Sequence, residues 1–280
     1  MVDIQIISGL KEIAGDYDAL VCDVWGVLHN GVKPYWPAVE ALRRFRAERG
    51  RVVLLTNAPR PPAGIVVQFA GIGVPPDCYD VIVTSGGAAR DYLAQRAAKA
   101  TFAMMHIGPE RDRGLYEGLD VALTGPESAS LVLCSGLFDD EKETPEDYRA
   151  SFLDLKARGL PMICANPDVM VPRGDKLVWC GGGLARLYEE LGGEVTYYGK
   201  PHPPIYKLAL AAAGHPARAL VIGDGFETDI RGANAVGLDA LFVAQGLHAK
   251  EVGNLTQGNL AGLLGAKGLS ARAAVEVLAW

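Results

Sequence analysis

Ala19-Leu20-Val21-Cys22-Asp23-Val24-Trp25-Gly26-Val27-Leu28 is a short apolar run that ends in a carboxylate and passes at once into a glycine-containing turn. The run reads as a buried strand. Asp23 then stands where that strand meets its loop, the edge at which α/β sheets bind ligands and place a nucleophile.

Outward from this segment the chain alternates between two periods. Helical patterns at 37–49, 62–70 and 86–97 separate and follow β-rich runs at 19–24, 51–55 and 81–84. The alternation returns near the end, with Ala219-Leu220-Val221-Ile222 as strand, 227–235 as helix and Ala240-Leu241-Phe242-Val243 as strand. It predicts right-handed βαβ units and an α/β fold with a doubly wound parallel sheet. A second α/β stretch lies between, with strands expected at 102–107, 131–134 and 161–164 and a helix at about 145–158 opened by Thr144-Pro145-Glu146. Glycine-rich flanks, Ser85-Gly86-Gly87 on one side and Gly181-Gly182-Gly183 and Gly192-Gly193 on the other, mark it as an insertion. The expected organisation is a core of 1–85 and 187–280 with an inserted α/β cap at 86–186.

Composition narrows the partners. Acidic residues outnumber basic ones 33 to 27, for a formal charge of −6, and no stretch gathers five or six Lys/Arg, which argues against nucleic acid. Cys22, Cys78, Cys134, Cys164 and Cys180 form no C-x-x-C pair, as expected of free thiols in a reducing compartment. The first ten residues lack the basic head and apolar block of a signal peptide. The apolar tail from Leu260 to Trp280 is interrupted by Lys267, Arg272 and Glu276, too often to span a bilayer. A cytoplasmic protein acting on a small molecule is the expectation, with no membrane partner and with the cap as the surface through which a homodimer would form.

Four separated segments would meet at the carboxyl edge of such a sheet. They are Asp23 with the backbone around Trp25; Leu54-Leu55-Thr56-Asn57, an apolar strand ending in two small donors; Tyr198-Gly199-Lys200-Pro201, an ammonium beside Gly and Pro; and Val221-Ile222-Gly223-Asp224-Gly225-Phe226-Glu227-Thr228-Asp229, a strand running into acids five apart. Each has an ordinary reading as turn former, strand end, helix acid or solvated lysine. Together they fit phosphoryl transfer, which needs an in-line nucleophile, a hard cation and fixed donors. Asp23 would attack, Mg²⁺ would sit on Asp23 and Asp224, and Thr56, Asn57 and Lys200 would hold the phosphate.

In this order the four segments resemble the motifs of the haloacid dehalogenase superfamily over essentially the whole chain. Ala165-Asn166-Pro167-Asp168, the following Gly-rich turn and the Gly-Lys-Pro resemble its class IIA branch, the NagD-like and pyridoxal-phosphatase-like hydrolases. The resemblance implies a Rossmann-like core, an aspartyl-phosphate on Asp23, Mg²⁺ bound by Asp23, the Trp25 main-chain carbonyl and Asp224, and Asp229 as a metal-supporting acid. It also implies that Asp168 to Lys176 is a substrate-specificity loop, with Asp168, Arg173 and Lys176 as recognition residues for a small phosphorylated metabolite.

One position departs from the pattern. Family phosphatases carry at position 25 an aspartate that protonates the leaving oxygen and later activates water, and this chain has Trp25. General acid–base help contributes about 10²–10⁴-fold, or roughly 3–5 kcal/mol of barrier. The expected function is therefore a Mg-dependent phosphate monoester hydrolase with a weakened general-acid step. His29 is the nearest candidate to replace the missing acid, with His202 a weaker one. The alternative is a catalytically weakened protein that binds a phosphorylated metabolite as a sensor. The Gly181-Gly182-Gly183 run could bind phosphate at a helix start, but a hinge or tight turn of the cap is the expectation.

Overall fold

The computed structural model describes residues 4–173 and 176–280. The chain divides into two compact units, one of Met1–Thr56, Gly64–Val83 and Lys200–Trp280, the other of Asn57–Ala63 and Thr84–Gly199.

The first unit is built on a seven-stranded sheet. Across it the strands run Gln5–Ile6, Ala273–Val275, Asp239–Val243, Ala219–Gly223, Ala19–Cys22, Arg51–Thr56 and Val81–Thr84. The register of the central pairs is parallel, with Cys22 opposite Ile222 and Leu54. From Ala19–Cys22 the chain winds outward through Arg51–Thr56 and Val81–Thr84, and from Ala219–Gly223 it winds the other way. The two directions part between Ala19–Cys22 and Ala219–Gly223, so the crevice that ligands occupy in open α/β sheets lies there. Both strands are buried throughout, which is why they read as unbroken apolar runs. The helix Trp36–Glu48 buries Ala38, Val39, Ala41, Leu42 and Phe45, the i, i+3, i+4 spacing of one helical face.

After Ala219–Gly223 the backbone makes a π-helical turn, Phe226–Ile230, before the α-helix Arg231–Ala235. The sequence pattern suggests an ordinary helix over 227–235. The wider turn is closed by the Ile230 amide bonding back to the Gly225 carbonyl at 3.1 Å, and Phe226 is stacked on Phe242 with ring centroids 4.7 Å apart. Such turns often mark functional sites.

The second unit has its own five-stranded sheet, in the order Val195–Tyr197, Met162–Cys164, Val132–Cys134, Phe102–Ile107, Val121–Leu123, with every pairing parallel. Alternate residues feed two cores. Val132 and Cys134 join Phe152, Met162, Leu184 and Tyr188 on one side, and Leu131 and Leu133 join Ala89, Leu93, Met104 and Ile163 on the other. An antiparallel pair, Met170–Arg173 with Lys176–Trp179, forms a separate two-stranded sheet. All five cysteines are buried free thiols. No helix among the described residues is long and apolar enough to cross a membrane.

Candidate active site

Two adjacent strands on either side of the switch point, Ala19–Cys22 and Ala219–Gly223, are each followed at once by an aspartate. The Asp23 amide donates to the Ile222 carbonyl at 2.8 Å, so the last pairing of the sheet sets the start of the Asp23 loop beside the strand that leads to Asp224. Asp23, Asp224 and Asp229 are all buried, and each can offer a carboxylate oxygen to a set lying within 4.8 Å of one another. Lys200 is the cation among them. Its ammonium, buried with them, donates to Asp23 Oδ1 at 2.5 Å and to Asp229 Oδ1 at 2.8 Å.

The three acids are held differently. Asp229 has both oxygens engaged, Oδ1 by Lys200 and Oδ2 by the Gly225 amide at 3.1 Å and the Thr228 hydroxyl at 3.2 Å. The π-turn makes this fold-back possible, and it suits Asp229 to fixing the ammonium. Asp224 Oδ2 accepts from the Leu247 amide at 2.6 Å, and Asp23 keeps Oδ2 outside its bond to Lys200. Tyr206 braces the turn, its hydroxyl donating to the Thr228 carbonyl at 3.1 Å.

The charge balance is adverse without a further cation. Burial pushes the Asp23 carboxyl well above the usual range; Lys200 opposes this, and Asp229 and Asp224 add to it. Burial and then Asp229 push Asp224 up to about 6, against the Leu247 amide and Lys200. For Lys200, burial alone favours the neutral amine, but Asp229 and Asp23 outweigh it and keep the ammonium. One ammonium for three buried carboxylates is a donor set short of positive charge. A divalent cation with a preference for a few carboxylate oxygens and several waters fits it.

Backbone approach at two glycines makes the cluster compact. A Cβ built on Gly26, which has φ of +87°, would collide with the Asp224 carboxylate, and so would one on Gly246. Gly26→Ala should therefore cost about 1–2 kcal/mol in backbone strain and also displace a proposed metal ligand. Isothermal titration with Mg²⁺ should show affinity reduced by at least about tenfold. Unchanged affinity would mean that Asp224 does not hold the ion.

The remaining sequence-predicted residues are placed as follows. Thr56 is buried at the end of its strand in the first unit. Asn57 and Asp168 meet in the second unit, the Asn57 amide donating to Asp168 Oδ1 at 2.8 Å. Gly199, with φ of +148°, leaves the room a side chain would take from Asn57 and Pro167. Lys176 is exposed at the start of its strand. The Arg173 side chain, and Gly174 and Asp175 of the expected specificity loop, lie outside the described residues.

His29 is buried at 2% exposure, set edge-on to Phe69, and its Nδ1 accepts from the Gly31 amide at 2.8 Å. Burial pushes it down to about 4. It is a neutral core residue that shapes the loop. The three glycines at 181–183 form a helix start, not a tight turn; they open the helix Gly181–Glu190, and a Cβ on Gly182 would meet the Pro167 and Asp168 carbonyls. Sequence reasoning missed Gly246, Leu247 and Tyr206. The first two carried a readable signal, a glycine turn three residues beyond the strand Asp239–Val243, at the same sheet edge as the other loops.

Comparison with known proteins agrees with this fold. Family models described as haloacid dehalogenase-like hydrolase and HAD-hydrolase-like match residues 20–122 and 197–260. A crystal structure of a haloacid dehalogenase-like hydrolase from Brucella suis 1330 is 43% identical, covers 98% of this chain and all of its own, and superposes with a TM-score of 0.83. The chain belongs to the haloacid dehalogenase-like hydrolases. Within them it resembles the D-glycerol 3-phosphate phosphatase of Mycobacterium tuberculosis, 28% identical over 86% of this chain and 66% of that one. A glycerol phosphate phosphatase from the same organism, solved in complex with magnesium, aligns at 25% identity with a TM-score of 0.66, covering 88% and 74% of the two chains. The ribonucleotide monophosphatase NagD of Escherichia coli (strain K12) is 26% identical over 81% of this chain and 88% of its own, which places the chain in the NagD-like, class IIA branch.

Proposed function

We propose that the protein is a magnesium-dependent phosphatase of phosphate monoesters that works through an aspartyl-phosphate on Asp23. The observation that carries this reading is the buried cluster of three carboxylates with one ammonium among them, bonded to Asp23 and Asp229. Asp23 attacks phosphorus. Asp23, the Trp25 carbonyl and Asp224 hold Mg²⁺, and Asp229 fixes Lys200. When bound, the ion neutralises charge on the phosphoryl oxygens so that an anion can approach an anionic nucleophile. Thr56, Asn57 and Lys200 bind phosphate oxygens, and Asp168, Arg173 and Lys176 contribute to recognition of a small phosphorylated metabolite. The relatives named for phosphatase activity, one of them solved with magnesium, support this assignment. Steady-state turnover on a panel of phosphate esters, with Mg²⁺ and with chelator, tests it. Turnover undiminished by chelator would remove the metal from the mechanism. Trp25 favours a second reading, a phosphometabolite sensor, which binding without turnover on the same panel would select.

The charge balance has a pH signature. Asp224 has a folded-state value of about 6, above its ordinary 3.8, so the metal-free fold holds a proton there that the unfolded chain releases. Stability from this group is present below the lower value and is lost as pH rises through the higher one, by on the order of 3 kcal/mol at about 1.4 kcal/mol per unit. Mg²⁺ competes with that proton, so its stabilisation should grow over the same window. Thermal unfolding at pH 5 and pH 8 should show a larger Mg²⁺-induced rise in Tm at pH 8. An equal rise at both would place the ion away from Asp224.

A further inference from the structure

We propose that this site takes phosphoryl groups only from leaving groups that depart as stable anions, aryl phosphates and carboxylic–phosphoric anhydrides, and that phospho-Asp23 forms faster than water removes it. The inference rests on the phosphatase reading and narrows its substrate class.

Trp25 stands two residues beyond the nucleophile, its backbone paired with His29 and the residue 37% exposed. A Cβ on Gly31 would stand 3.5 Å from the indole nitrogen, so the ring lies along the loop. An indole N–H can donate a hydrogen bond but does not surrender its proton, and it offers no lone pair to a water. Among the described residues, three groups near the nucleophile loop do not replace the missing carboxyl. His29 is buried against Phe69 with Nδ1 already accepting from the Gly31 amide, and it is neutral. The Lys200 ammonium is shared between Asp23 and Asp229. Tyr35 is half-buried, and burial together with Asp224 holds its proton on the phenol.

The consequences fall on both half-reactions. In the first, an Asp23 carboxylate oxygen bonds to phosphorus while the bond from phosphorus to the leaving oxygen breaks, and the electron pair stays on that oxygen. With no donor at position 25 it departs as phenolate or carboxylate. In the second, a water oxygen bonds to phosphorus, the bond to Asp23 breaks with its pair returning to the carboxylate, and the water proton passes to solvent as inorganic phosphate leaves. With no general base at position 25 this step loses its help too. Each loss is worth about 10²–10⁴-fold. A good leaving group escapes the first penalty, whereas every substrate meets the second.

The test is the full chain with Mg²⁺ on p-nitrophenyl phosphate, acetyl phosphate, glycerol 3-phosphate and glucose 6-phosphate. kcat/KM is expected to be at least about 100-fold higher for the first two, and stopped-flow should show a burst of nitrophenolate near one per site. Trp25→Asp should remove the burst. Alkyl and sugar esters within about tenfold of p-nitrophenyl phosphate, or a wild-type reaction without a burst, overturns the proposal and leaves the phosphatase reading standing. The same holds if Tyr35→Phe alone opens a gap that wild type lacks, which would make the phenol the donor. A burst that persists in Trp25→Asp moves the cause away from position 25 and also overturns it. Failure to turn over any of the four would defeat both readings together.

Discussion

Asp23→Asn is expected to lower kcat for the best phosphate ester by about 10⁴–10⁶-fold, the scale on which removing a covalent nucleophile acts. The amide has nearly the shape of the carboxylate, and the Asp23 backbone bond to Ile222 does not involve the side chain, so the fold should persist. Two electrostatic effects oppose one another. The change turns the charge-assisted hydrogen bond from Lys200 into one to a neutral amide oxygen, while Lys200 keeps Asp229 as a charged partner, and it also removes one of three crowded negative charges. The metal-free variant should therefore unfold within a few kcal/mol of wild type at pH 8, while the turnover loss amounts to roughly 5–8 kcal/mol of barrier. Circular dichroism melts beside initial rates separate the two quantities. Activity within tenfold of wild type would place the chemistry elsewhere.

The fold was legible in the sequence where burial on both faces writes apolar residues without interruption. Ala19–Cys22, Ala219–Gly223 and the strands around them are such runs, and their alternation with helical spacing specifies a parallel sheet. The edges were not legible. Gln5–Ile6 is two residues long and exposed, and Val121–Leu123 and Val195–Tyr197 are short and only partly covered, so none carries enough pattern to stand out from a loop. The π-turn at Phe226–Ile230 was invisible for another reason. Its residues suit an α-helix, and the widening comes from the tertiary packing of Phe226 and the fold-back of Asp229.

At the site, residue types were legible and their division of labour was not. Asp23, Lys200, Asp224 and Asp229 could be picked out because acids and a lysine mark three of the four strand-end segments. Which acid holds the lysine and which is held by a backbone amide depends on atoms that spacing does not fix. The buried state of His29 was equally hidden, since a loop histidine one residue before an asparagine reads as a surface residue until the Gly31 amide is seen to close on its ring.

Lys200→Met should be the most destabilising single change at the site. Methionine keeps much of the apolar stem and removes the ammonium, so packing is nearly preserved and charge is not. Asp23 and Asp229 are then buried without their counterion, and breaking a buried pair in this way costs about 3–5 kcal/mol. That exceeds the loss of a neutral hydrogen bond, about 1 kcal/mol, so a deficit of the larger size identifies the charge. It also has a pH dependence with a definite sign. Burial already raises Asp23, and losing Lys200, which opposes that rise, raises it further. A carboxyl raised in the folded state contributes stability at low pH that is lost as pH rises, so the deficit should be large at pH 8 and should shrink toward pH 5. Saturating Mg²⁺ should recover part of the stability by supplying positive charge, but turnover should stay at least about 10²-fold down, because the proposed donor to the phosphoryl oxygens is gone. Denaturant melts at the two pH values, with and without Mg²⁺, give the stability terms, and initial rates give the last. A variant as stable as wild type at pH 8 would show that Lys200 is not the counterion of this cluster, and a variant still active within tenfold would show that it does not clamp the phosphate.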